Sequence, residues 1–274
     1  MRALITGANG QLGRALTQAL AADAATPLTR DDCDITHEPS VMAAVLDHAP
    51  EVVVHTAALT DVEACEADPH RAWQVNALGA WWVARACAIA GARMIHVSCQ
   101  DVFDGRLGRP LTEFDAPAPA SVHGRAKEAG EQLVRTALAD HCIVRTAWLQ
   151  GAADEGPVGA VLRQARQQGV VEADDATSAN LTLAADLAPA LRHVAAAGRP
   201  GTYHLTAAGH CTGYELAQAV LAHAGLDVPV RPLARSETAP PRPAFAVLDN
   251  HLPRLLGWEP LPDWLDGVRR LLAE

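Results

Sequence analysis

The chain has 274 residues and a mass of 28.8 kDa; 49% of its residues are apolar, 20% are charged, and the formal net charge is -10. That composition supplies the core of one large domain, or of a domain with a smaller lobe, and excludes a disordered chain. With 32 acidic against 22 basic side chains, the surface repels phosphate backbones and anionic lipid, so neither nucleic acid nor a membrane is an expected partner.

Short apolar runs alternate with helical patterns through the first half. Arg2 to Thr6 reads as a buried strand, followed by a glycine turn and an amphipathic helix from Gln11 to Ala22. Ala25 to Thr29 reads as a second strand, Pro39 to Asp47 as a helix, and the β-branched run Val52 to Thr56 as a third strand. A long alanine-rich helix is expected over Pro69 to Ala90, then a strand over Arg93 to Ser98, a helix over Val122 to Leu138 and a strand over Cys142 to Thr146. Strands of this length separated by helices imply right-handed βαβ units on a parallel sheet, an α/β fold of the Rossmann, doubly wound type. Beyond Gly151 the rhythm changes. Helices are expected over Gly156 to Gln168, Ala184 to Ala197 and Gly213 to Ala224, a strand over Gly201 to Leu205, and a proline-rich loop over Thr238 to Pro243 before a short C-terminal helix. The division drawn is a dinucleotide-binding domain over residues 1–150 and a smaller substrate-binding lobe over 151–274, with some interleaving.

No uncharged apolar run reaches the roughly 18 residues of a membrane span. The segment Met1-Arg2-Ala3-Leu4-Ile5-Thr6 has no signal-peptide layout, so a cytoplasmic location is expected. Six cysteines, Cys33, Cys65, Cys87, Cys99, Cys142 and Cys211, are scattered without paired spacing and read as small core residues, with Cys99 set apart. HExxH and CxxC motifs are absent, and neither His48 with His55 nor His204 with His210 shows helical ligand spacing, so no metal is expected. Gly-x-Ser-x-Gly is also missing, which excludes a hydrolase elbow. Trp73, Trp81 and Trp82 on the long helix read as core or homodimer contacts rather than ligands.

Gly7-Ala8-Asn9-Gly10-Gln11-Leu12-Gly13 follows a strand and opens a helix, the context a pyrophosphate site requires. Gly7 permits the turn, Gly10 lets backbone approach a diphosphate, and Gly13 lets helix and sheet pack closely. The second strand ends Leu28-Thr29-Arg30 with no acid before Asp31. Arg30 could face a 2′-phosphate, which points to NADP and leaves NAD open.

From end to end the chain resembles the dTDP-4-dehydrorhamnose reductase family, extended short-chain dehydrogenases that bind sugar nucleotides. The resemblance rests on the glycine turn, Asp34-Ile35-Thr36, Ala57-Ala58-Leu59-Thr60-Asp61-Val62-Glu63, Glu66, Asn76, Val102-Phe103-Asp104-Gly105 and Arg145-Thr146-Ala147-Trp148. In the second half it rests on Gly201-Thr202-Tyr203-His204-Leu205, Arg242-Pro243 to Leu248-Asp249 and Leu261-Pro262-Asp263-Trp264. It implies an NAD(P) site lined by Gln11, Leu12, Asp34, Ile35, Ala57, Ala58 and Thr60. On the sugar-nucleotide side it implies Trp148, with Gln100, Asp101 and Arg242 as further substrate-side positions.

The reacting centre departs from the family pattern. Relatives carry Ser-Thr-Asp-Tyr where this chain reads Ser98-Cys99-Gln100-Asp101, and Tyr-x-x-x-Lys where it reads His123-Gly124-Arg125-Ala126-Lys127. Asp175 to Thr182 lacks the family's glutamine, glycine and proline, and Ala246 stands where a serine is usual. Neither tyrosine of the chain, Tyr203 or Tyr214, has a lysine four residues on. Lys127 is the chain's sole lysine; it reads as a retained ligand of the nicotinamide ribose, because an arginine does not mimic a compact ammonium. His123 admits three roles: proton donor in place of tyrosine, base in chemistry that is not redox, or space-filler. Cys99 is a weak donor where relatives use a threonine hydroxyl; near His123 and Lys127 it could instead be a nucleophile, or a small residue in the cleft wall. The first expectation is therefore an NADP-dependent reductase of a keto-sugar nucleotide or related carbonyl, with His123, Lys127 and Cys99 as catalytic candidates. A non-redox enzyme using those three residues, and a silent cofactor-binding regulatory subunit, stand as alternatives.

Overall fold

The computed structural model describes residues 1–233 and 240–273. Positions 238 and 239 of the expected proline-rich loop lie outside the described residues.

Apolar β-branched runs make the strands, and glycine or short polar turns end them. In chain order the first half runs β1 (Arg2–Thr6), α1 (Gln11–Ala19), β2 (Ala24–Leu28), α2 (Glu38–His48), β3 (Val52–His55), α3 (Val62–Ala67), α4 (Pro69–Trp73), α5 (Gly79–Ala90), β4 (Arg93–Cys99), α6 (Val122–Ala137) and β5 (His141–Thr146). The second half runs β6 (Leu149–Gln150), α7 (Gly156–Gln168), β7 (Val171–Ala173), β8 (Ser178–Ala179), β9 (Thr182–Leu183), α8 (Ala184–Ala197), β10 (Gly201–His204) and α9 (Gly213–His223), and ends in a helix over Trp264–Ala273. Six strands form one parallel sheet in the order β10-β5-β4-β3-β1-β2. All four residues of β3 are buried, as a strand covered on both faces requires.

Leu12, Leu16 and Leu20 recur every fourth residue on and just past α1 and pack with Leu187, Leu191 and Val194 of α8 on one face of the sheet. Val41 and Val45 of α2, Val83 and Cys87 of α5 and Val134 of α6 cover the other face. Both α8 and β10 therefore return from the second half to the large sheet. A separate core, with Val158, Leu162, Leu181, Leu216, Val220 and Val268, supports the small lobe. There β8 lies between Cys211–Thr212, antiparallel, and Phe245–Ala246, parallel.

The expected helix over Pro69 to Ala90 is not one regular helix. Gln74–Leu78 between α4 and α5 forms a π turn, and α3, with Asp61 accepting from the Ala64 N–H at its start, was not anticipated. Trp73 is exposed, while Trp81 and Trp82 stack on each other and under the Arg85 guanidinium. All six cysteines are free. No helix among the described residues is long and apolar enough to cross a membrane.

Three buried imidazoles in the sheet, His55, His96 and His204, give the fold an acid-side weakness, and burial with Lys127 holds His96 well below the usual histidine range. Burial, reinforced by Lys127, holds His55 down at about 3; burial and Arg145 do the same to His204. Unfolded histidine titrates near 6.5, so the unfolded chain takes up protons first and stability falls as pH drops from there towards 3. Between pH 7 and pH 5 each ring should cost about 2 kcal/mol of unfolding free energy. Urea unfolding at the two pH values checks this, and equal stabilities would contradict it.

Candidate active site

The glycine turn brings α1 onto the end of β1. Gly7 has φ 73° and its Cα lies against the Ala57 backbone, and the Gly10 N–H donates to the Gly7 carbonyl at 3.0 Å. A Cβ on Gly13 would overlap the Gly7 carbonyl and Ala8, so only glycine lets the first turn of α1 sit this close. The Gln11 carboxamide accepts from the Gly151 N–H at 2.6 Å and ties this turn to the segment after β6.

Two recesses open along the C-terminal ends of the strands, where open α/β sheets bind ligands. The first, about 270 Å³, is lined by Gly7, Gly10, Arg30, Asp34, Ile35, Ala57 and Ala58 among others. The second, about 540 Å³, takes in Gln11, Leu12, Gly13, Thr60, Cys99, Gln100, Asp101, His123, Lys127, Trp148 and Arg242. They share Gly10, Thr56 and Ala58, so they form one groove. Every candidate residue drawn from the sequence lines one recess or the other. Thr56, Arg71, Thr146 and Glu155 line them too and were not singled out. Glu155 gave no local signal, since its partner Arg14 lies 141 residues away. Trp148 holds a backbone φ of 26°, a strained value for a bulky residue and one typical of ligand sites.

α6 carries His123 and Lys127, and several contacts fix its position. Ser121 caps it by accepting from the Gly124 N–H at 3.0 Å, and Glu66 accepts from the Val122 N–H at 2.7 Å. Gly124 lies against the Asp101 carbonyl and Gly130 against the Asn76 carbonyl, with no room for a Cβ at either. Farther along, Glu131 receives Arg145 through both carboxylate oxygens, at 2.9 and 2.7 Å, with both residues buried, and Arg135 adds a bond at 2.9 Å. Burial works against the Glu131 charge, but the hydrogen bond and charge of Arg145 outweigh it and hold the carboxyl below its ordinary range.

The groups around His123 have a defined proton arrangement. His123 Nδ1 is 3.1 Å from the Leu59 carbonyl, which can only accept, so Nδ1 carries the proton. Asn76, on the π turn, clamps Leu59 by donating to its carbonyl at 2.9 Å and accepting from its N–H at 2.8 Å. His123 Nε2 then presents a lone pair to the Cys99 thiol at 3.5 Å and lies 3.8 Å from Asp101 Oδ2. Burial first, then the Lys127 charge, lowers His123 to about 4, so the ring is neutral at pH 7. Burial and the Asp101 charge push the Cys99 thiol up to about 12, and burial raises Asp101 above its ordinary range. Lys127 donates to the Val97 carbonyl at 2.7 Å, and burial lowers its pKa. The centre thus offers a fixed ammonium and a neutral acceptor nitrogen, with no preformed thiolate.

The family described as RmlD substrate binding domain matches residues 1–274. A dTDP-4-dehydrorhamnose reductase of Mycobacterium tuberculosis is 38% identical over 99% of this chain and 92% of its own length. The chain belongs to this family. Another member, a dTDP-4-dehydrorhamnose reductase of Streptomyces griseus, is 39% identical over 96% of this chain and 90% of its own. The crystal structure of a dTDP-4-dehydrorhamnose reductase from Clostridium acetobutylicum superposes with a TM-score of 0.95, at 32% identity, covering 100% of this chain and 99% of that one. That of the Bacillus anthracis reductase, in complex with NADP, gives 0.94 at 31% identity, covering 99% and 97%. These likenesses bear out the resemblance and the Rossmann-type fold read from the motifs.

The Glu131–Arg145 pair should behave as a structural pin. Glu131→Ala leaves a buried guanidinium without its partner and should cost about 3–5 kcal/mol. Denaturant unfolding measures this, and a loss below about 1 kcal/mol, the range of exposed pairs, would contradict the assignment.

Proposed function

We propose that the chain is an NAD(P)H-dependent reductase of a keto-sugar nucleotide, of the dTDP-linked class its relatives are named for. The observation that carries this is the continuous groove from the glycine turn to Lys127. The turn suits a dinucleotide: Gly7 and Gly13 let the turn pack against backbone, and Gly10, which lines both recesses, has only the Gly7 carbonyl near the place of a Cβ. When bound, NAD(P)H supplies the hydride.

The chain's own residues then divide the work. The N-terminus of α1, opened by Gly10, offers backbone N–H groups and a favourable dipole to a diphosphate. Arg30, now 3.8 Å from Asp34, can turn its guanidinium to a 2′-phosphate, while Asp34 can accept from a ribose hydroxyl. Lys127, anchored on Val97, has donors left for ribose hydroxyls. Trp148 and Arg242 close the cleft on the sugar-nucleotide side. His123, a neutral ring whose one N–H is spent on the Leu59 carbonyl, is a poor acid, so the proton that completes the reduction comes from water in the cleft.

That same neutral ring favours one other reading, a proton-transfer enzyme with His123 as base. Absorbance separates the two. The reductase consumes NADPH when given a dTDP-linked 4-keto sugar, whereas the alternative turns substrate over with the nicotinamide absorbance unchanged. Lys127→Met should lower kcat/KM by about 10- to 100-fold, the value of lost charge-assisted hydrogen bonds to the ribose. Arg30→Ala should move the NADPH-over-NADH preference down by roughly tenfold, the value of one charge-assisted contact. No NADPH consumption across dTDP- and UDP-linked keto sugars would contradict the proposal.

A further inference from the structure

We infer that Cys99, Asp101 and His123 form a three-ligand site for a zinc-class divalent ion in the wall of the cleft. The ligand atoms of the three side chains lie within 4.8 Å of one another. Cys99 Sγ and His123 Nε2 are 3.5 Å apart, and His123 Nε2 and Asp101 Oδ2 are 3.8 Å apart. Zinc bonds of about 2.3 Å to sulfur and 2.0–2.2 Å to nitrogen or oxygen set tetrahedral edges of about 3.4–3.6 Å. The first edge already has that length, the second needs to close by a few tenths of an ångström, and the third, Cys99 to Asp101, lies within 4.8 Å and closes by up to about 1 Å.

The surroundings orient the donors as a metal site requires. His123 spends its one N–H on the Leu59 carbonyl, which Asn76 holds in place, so Nε2 is left as the ligand atom. Gln100 donates to Asp101 Oδ1 at 3.2 Å, which leaves Oδ2 on the His123 side. Each donor also stands on a firm element: Cys99 ends β4, Asp101 sits in the 3₁₀ turn Gln100–Val102, and His123 is in the first turn of α6. Gly124 permits the contact that brings the last two together.

The donor set selects the ion. A thiolate with an imidazole suits zinc and disfavours magnesium or calcium, which take oxygen ligands. Binding releases the thiol proton. Thiolate and carboxylate together then cancel the double charge, which matters because Lys127 and Arg242 line the same cleft. All three ligands face the cleft, so the fourth position opens towards it, as in catalytic rather than structural zinc sites. A keto or hydroxyl oxygen of the substrate is the class of ligand that position takes; this part rests on the reductase reading, whereas ion binding does not. The absence of a metal motif in the sequence follows from the geometry, since Cys99 and Asp101 come from the end of β4 and the turn after it, and His123 from α6, more than 20 residues on.

Cobalt is the probe. The full chain is stripped with chelator and titrated with Co²⁺ while visible and near-ultraviolet spectra are recorded. One Co²⁺ per chain with a thiolate-to-cobalt charge-transfer band is expected. Cys99→Ser should lose the band, and Asp101→Asn should weaken Co²⁺ by more than the roughly tenfold of a lost second-shell partner. Unchanged thermal unfolding of each variant shows that folding is not the cause; should one fail to fold, Cys99→Thr, which installs the family's residue, takes its place. No band at excess Co²⁺, or a band that survives at Cys99→Ser, would overturn the inference. A band without turnover keeps the site and removes the reductase reading; turnover without a band does the reverse.

Discussion

The buried pair of Glu131 and Arg145 ties α6 to β5, and the geometry of the cleft follows from where it sets that helix. A charge pair in the interior is retained at a desolvation cost, and removing one partner is worse than removing both. One turn nearer the N-terminus, Lys127 is fixed on the Val97 carbonyl at the neighbouring strand β4. One further turn back, His123 meets the end of that strand and the turn after it. Three successive turns of a single helix thus carry a buried anchor, an ammonium in the cleft wall and an imidazole beside Cys99.

The two ends of the groove depart from the family pattern to different degrees. At one end Gly7, Gly10, Asp34, Ile35, Ala57 and Ala58 line a recess beside a glycine turn that admits no Cβ at Gly7 or Gly13. At the other end Cys99, Asp101 and His123 replace a threonine and two tyrosines, and the structure brings these three into contact distance. A metal ion and a tyrosine hydroxyl meet the same need, a positive or hydrogen-bonding partner for a carbonyl oxygen. The chain's neutral imidazole and protonated thiol supply it poorly by themselves.

Much of this was legible in the residue string. The strands announced themselves through valine and isoleucine runs, and the turn through glycine spacing with a strand before it and a helix after it. The candidate residues all reach the groove because the ends of parallel strands gather there, whatever their separation in the chain. Other features were not legible, for physical reasons. α3 has six residues, too few for a period to show. The clamp on Leu59 depends on a π turn that aims Asn76 inward, and no local pattern marks such a turn. Strand order is a tertiary fact, so although some interleaving was expected, the sequence did not mark α8 and β10 as the elements that return to the large sheet. The proximity of Cys99 to His123, 24 residues apart, depends on Gly124 and on the pin at Glu131.

A crystal structure of the chain grown with NADPH tests the central claim, an undisturbed dinucleotide groove leading to an altered reacting centre. The account predicts density for the adenosine beside Arg30 and Asp34, the diphosphate at the N-terminus of α1, and the nicotinamide riboside reaching Lys127 in the cleft that holds His123. A cofactor bound elsewhere, or a nicotinamide end directed away from Lys127 and His123, would contradict it.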